Sequence, residues 1–187
     1  MPTTNEQYGR MTAPGQIVIE RLLPGPIGRV WAYLTESDKR ATWIAAGDMD
    51  LRAGGSYEYI FDHDVLSETK EETPEKYKDE CYSGMKMGGR IIAVSPPNLL
   101  HMTWPESGAE GGADESEVKF ELAEVDGKVK LTLTHLKLFD NDLLVGVSAG
   151  WHAHVAIMID VIEGKSPRPF WSNHMVLEDE YRKKLFP

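Results

Sequence analysis

Few residue types in this sequence could do chemistry at useful spacing: His135 and His154, the tyrosines Tyr57 and Tyr59, and Cys81. Imidazole titrates near neutrality, so the two histidines could act as general acid and base if both reached one enclosed space beside a tyrosine hydroxyl. No nucleophile accompanies them, and Asp140 and Asp142 read as loop residues. The plainer expectation is that each ring satisfies a nearby carbonyl or carboxylate, so no catalytic residue is assigned and His135 and His154 remain the candidates. His152 and His154 are two apart and point to different sides of a helix, which makes no metal site. His63 with Asp62 and Asp64 reads as a solvated turn, and Cys81 as ordinary packing. GxGxxG and Walker signatures are absent. Neither a metal nor a cofactor is expected.

The elements that must position these side chains centre on Ala149 to Gly164, AGWHAHVAIMIDVIEG. Trp151, Val155, Met158, Ile159 and Ile162 fall on one helical stripe, and His154, Ile157 and Val161 form a second row beside it. So wide an apolar arc leaves little of the helix for water, and Gly164 supplies its stop. Around it lie alternating segments. Gln16 to Leu23 reads as a strand closed by Pro24-Gly25-Pro26, and Ile27 to Leu34 takes helical spacing. A second short helix is expected over Asp38 to Ile44, then strands at Asp48 to Arg52 and Ser56 to Phe61 around Ala53-Gly54-Gly55.

Tyr57, Tyr59 and Phe61 share one strand face, as do Leu100, Met102 and Trp104, then Val118, Phe120 and Leu122, and finally Val129, Leu131, Leu133 and His135. Strands over Gly89 to Val94 and Leu99 to Trp104 complete a half-buried antiparallel sheet. Residues 62–88 are charged, contain Pro74 and read as an insertion or lid with apolar anchors at Tyr77, Cys81, Tyr82, Met85 and Met87. Glu106 to Asp114 reads as a flexible connection. Residues 1–15 read as a flexible arm, 16–164 as the domain, and 165–187 as an extension whose short helix, Val176 to Leu185, packs on it through Phe170 and Trp171.

A net charge of -10 with no basic run disfavours nucleic acid and anionic membrane surfaces as partners. The N-terminus has no signal-like apolar core, and no run approaches the ~18 residues of a spanning helix. With Cys81 the lone cysteine, no internal disulfide forms. A cytoplasmic protein without membrane insertion is expected.

The order of strand, two short helices, antiparallel strands and one long helix resembles the helix-grip fold of the START and birch-pollen-allergen superfamily. It resembles more closely the Hsp90-ATPase-activator-like branch of that superfamily. The matching residues are RVWAYLTES (29–37) with Trp43 behind it, DLRAGGSYEY (50–59), GGRIIAVSPPNLLHMTW (88–104), LTLTHLKL (131–138), and Gly150-Trp151 followed by Val155, Met158 and Ile162. The resemblance implies an α+β fold, a curved antiparallel sheet wrapped around the long C-terminal helix, with two short helices between the first and second strands. It also implies a cavity between sheet and helix for an apolar or amphipathic small molecule. Carried onto this chain, the ligand-binding candidates are Tyr57, Tyr59, Met102, Trp104, Phe120, His135, Trp151, His154 and Met158. A polyketide cyclase or dehydratase-like enzyme using a cavity histidine or tyrosine is the first alternative. An Hsp90 co-chaperone-like interaction module is the second, although residues 1–15 are too short to be the co-chaperone's separate amino-terminal domain. A homodimer through a sheet edge or the tail helix is a further expectation.

Overall fold

In a computed structural model describing residues 4–105 and 115–187, the strands form one eight-stranded antiparallel sheet. In chain order the elements are β1 (Arg10–Ala13), β2 (Gln16–Pro24), α1 (Ile27–Thr35), α2 (Ser37–Arg40), β3 (Ala45–Ala46), β4 (Ser56–Phe61), β5 (Met85–Ser95), β6 (Leu99–Trp104), β7 (Ser116–Val125), β8 (Lys128–Leu136), α3 (Asn141–Ile162) and α4 (Phe170–Leu185). The sheet runs β1-β2-β8-β7-β6-β5-β4-β3. The helix-grip architecture is therefore present, with α3 in the grip. At ~1.5 Å per residue its 22 residues span roughly 33 Å, about the width of eight strands ~4.8 Å apart.

The strand faces fall as the alternation dictates. Leu23 pairs with Val129 and Phe120 with Leu133, and all four are buried. Trp151, Val155, Met158, Ile159 and Ile162 share their core with Tyr57, Tyr59, Met102 and Phe120. On the far side, Tyr181 of α4 packs with Val145 and Ala149 of α3. By length and composition α3 could cross a membrane, contrary to the expectation that no run would. It is instead largely buried as the core helix.

Several boundaries differ from the sequence expectation. Residues 10–13 are not a loose arm: Arg10 pairs with Val18 and Met11 with Ile17, and the Asn5 side chain brackets Leu22 with two hydrogen bonds. Asp48 to Arg52 is no regular strand. Only Met49 bridges to Tyr57, because the chain tightens until a Cβ on Gly55 would lie 2.1 Å from the Asp50 carbonyl. α2 stops at Arg40, whose buried guanidinium donates to the Thr35 and Gly47 carbonyls and lies 4.7 Å over the Tyr59 ring. β5 begins at Met85 rather than Gly89, and α4 at Phe170 rather than Val176. Glu106 to Asp114 lies outside the described residues.

The largest difference is at α3, which begins at Asn141 rather than Ala149. Gly146, Ser148 and Gly150 are poor helix formers and hid its first turns. Asp140 caps it: Oδ1 accepts from the Leu143 N–H at 2.8 Å. At the other end Gly164 takes φ +70°, and Arg29 of α1 donates to the Ile162 carbonyl at 2.7 Å. Asp160 holds the linker through paired 2.7 Å bonds to Arg168. Replacing Asp140 by Ala is expected to cost about 1 kcal/mol and to lower Tm by about 2–4 °C, read by calorimetry.

Candidate functional site

Where the first turns of α3 pass the β4-β5-β6 end of the sheet, the helix presents Gly146, Val147 and Gly150, and a cleft of about 1120 Å³ opens. The glycines leave part of it open. A Cβ on Gly146 would have Tyr77 Oη as its nearest neighbour at 3.9 Å, and one on Gly150 would have His174 Nε2 at 4.0 Å. Phe61, Met85 and Met87 wall one side and Trp104 and Trp151 another; Phe170, Trp171 and His174 of α4 wall a third. The cleft reaches solvent at a rim that includes Tyr82, which is 57% exposed. Its size and aromatic lining are those of small-molecule sites.

The insertion forms the roof and is tied to α4 at several points. Tyr77 stacks on Trp171 at 5.4 Å and donates its hydroxyl to Glu178 at 2.8 Å, while Lys76 reaches the other Glu178 oxygen at 2.5 Å. The Glu71 carboxylate accepts the Trp171 N–H at 2.8 Å and the Ser172 N–H at 3.2 Å, where the helix needs acceptors. Ser67 donates to the Pro167 carbonyl, and Leu66 is buried. His63 is no solvated turn: its ring lies 4.4 Å from Phe170, 4.9 Å from Trp171 and 5.4 Å from His154.

Of the nine sequence candidates, Trp104, Trp151 and His154 line the cleft. Tyr57, Tyr59, Met102, Phe120, His135 and Met158 lie behind it in the packed core. Tyr57 donates its hydroxyl to the Thr103 carbonyl and offers nothing to a guest. His135 is spent in a closed relay. Trp151 Nε1–H donates to its Nδ1 at 2.9 Å, which puts the ring proton on Nε2; that nitrogen donates to Ser116 Oγ at 2.9 Å, and Ser116 donates to the Trp104 carbonyl at 2.6 Å. The relay fixes Trp151 against the sheet and leaves His135 no free nitrogen. His154 donates from Nδ1 to the Trp43 carbonyl at 2.8 Å, so its Nε2 is left as an acceptor. Sequence reasoning missed His174, Glu178, Gly146 and Gly150. The i,i+4 glycines were legible, but only once the helix was known to begin before them.

Burial dominates the histidines. It holds His63 down at about 4 and His135 and His152 at about 3, each below the ordinary 6.5, and it also lowers His154 and His174. These rings are neutral near pH 7. Cys81 is pushed up to about 11 by burial, so its thiol stays protonated. Because the folded values are depressed, the unfolded chain binds protons first; stability is full above pH 6.5 and is lost as pH falls from there toward 3. Urea unfolding at pH 5 against pH 7.5 should show a drop of several kcal/mol, on the order of 2 kcal/mol from the wholly enclosed His135 alone. An unchanged midpoint would mean that these rings are not buried neutral.

Comparison with known proteins bears on this arrangement. A Bordetella parapertussis protein solved by solution NMR superposes with a TM-score of 0.78 at 37% identity, over 97% of this chain and 92% of that one. CalU16 from Micromonospora echinospora superposes at 0.65 with 20% identity, over 96% of each chain, and an Enterococcus faecalis protein of unknown function at 0.66 with 19% identity, over 96% of this chain and 90% of that one. The last two share the fold. No curated protein matches the sequence. The family model for activator of Hsp90 ATPase homolog 1-like proteins matches residues 24–163, which carry strands β3 to β8, the roof and all of α3, and the chain belongs to that family.

Proposed function

We propose that the protein binds an apolar or amphipathic small molecule in the cleft between α3, α4 and the roof. The observation that carries this is volume left open beside a helix that is elsewhere packed tightly. A cleft of about 1120 Å³ opens against aromatic walls beside Gly146 and Gly150, where an added Cβ would meet nothing closer than 3.9 Å. The same volume would hold a guest of drug size. Binding rather than turnover is favoured because His135 is locked in its relay and His154 is too weakly basic, when buried, to take a proton near pH 7. A cytoplasmic setting is supported by a single cysteine held as thiol.

Replacing Gly146 and Gly150 together by Leu obstructs the cleft beside Tyr77 and His174 while adding about 1 kcal/mol of helix propensity at each position, so the variant should fold at least as well. The wild-type protein should bind the neutral fluorescent probe N-phenyl-1-naphthylamine saturably at one site, and the double variant should lose that enhancement with unchanged circular dichroism. A wild-type protein without enhancement, or a variant that binds like wild type, would overturn the cleft as the site.

A further inference from the structure

We infer that the guest is a hydroxylated aromatic, its hydroxyl seated on the imidazole of His154 with His63 beside it. This rests on the cleft as the binding site and names the chemistry it selects. His154 is 6% exposed and lines the cleft. Its Nδ1 proton is committed to the Trp43 carbonyl, so Nε2 carries the lone pair, and among the described residues nothing donates to it. Nor is it one of the sealed unpartnered atoms: Trp171 Nε1 and His174 Nδ1 are shut away from any solvent, whereas His154 Nε2 is not among them. A buried acceptor that the protein leaves open is a place for a donor from the guest.

His63 narrows the choice. Its ring centroid is 5.4 Å from that of His154, and among the described residues its nitrogens have no hydrogen-bond partner. A neutral imidazole offers one donor and one acceptor. A hydroxyl can donate to His154 while accepting from His63, whereas an aromatic N–H can only donate. The aromatic part follows from Phe61 and Phe170 against the two rings, with Trp104 and Trp151 in the same lining, which favour stacked or edge-on partners. Anionic head groups are disfavoured. Of the cleft's cations, Lys76 is paired with Glu178, Lys86 with Glu58 and Arg182 with Asp142, while Asp79 and Glu80 add negative charge. The hydroxyl keeps its proton, since burial makes His154 an acceptor and not a base.

The test compares 2-naphthol with 2-methoxynaphthalene by isothermal titration calorimetry at pH 7. The two share a ring system, and the ether keeps the accepting oxygen but has no proton to give. Wild-type protein should bind the naphthol about fivefold to tenfold more tightly. His154→Asn, whose amide can keep the Trp43 bond, should bind both alike. The 15N resonance of His154 Nε2 in wild-type protein should move with the naphthol and not with the ether, which decides the matter even if the variant fails to fold. Equal binding of the two compounds to wild type would overturn the inference and leave the cleft standing, as would binding of N-phenyl-1-naphthylamine with neither naphthalene bound. Loss of all three would remove both.

Discussion

A helix without a solvent face is the constraint on which this structure depends. From Trp151 to Asp160 every residue of α3 is buried, so one sheet face is not enough cover and a second layer must close the other side. The curved sheet supplies the first through Phe120, Leu131, Leu133 and Met102. α4 supplies the second through Phe170, Trp171 and Tyr181. Polar groups carried into this interior are matched where they meet the sheet, and the Trp151-His135-Ser116 relay is the clearest instance. Such a chain fixes both a ring tautomer and the helix's rotation about its own axis, because an indole N–H without its acceptor would remain desolvated and unpaired.

The cleft follows from the point where this cover is incomplete. Earlier on α3, glycine replaces the large side chains, and no strand moves in to fill the gap because the sheet is already held at its own spacing. The insertion spans the gap and covers it with aromatic and methionine side chains, so the space is roofed but unfilled. Family membership accounts for the sheet and the long helix. The roof-to-α4 contacts, built on Glu71, Tyr77 and Glu178, belong to particular side chains of this sequence.

Much of the fold was legible because strand alternation is a simple code. The inward rows ending at Phe61, Trp104, Leu122 and His135 lie where a period of two puts them. Helix boundaries were less legible for two physical reasons. Gly146 and Gly150 depress propensity while serving the cleft, and Phe170-Trp171 follows two prolines that look like linker until the Glu71 cap is seen. The candidate site was legible in type but shifted in place. An inward-facing residue on a strand can belong to core or cavity, and only the position of α4 separates Tyr59, sealed in the core, from Trp151, which reaches the opening. His63 could not be assigned from sequence, since its packing partners lie about a hundred residues away.

The Glu71 carboxylate beneath the first N–H groups of α4 ties two kinds of stability together. The roof cannot swing aside without stripping those donors of their acceptor and freeing the helix end that forms the opposite wall. A guest of the kind proposed above would therefore exchange through the Tyr82 side, past Lys86, with the Glu71 side as the fixed end of the roof. Its residence time would then be governed by how firmly the tail helix is seated, a property set far from the atoms that would touch the guest.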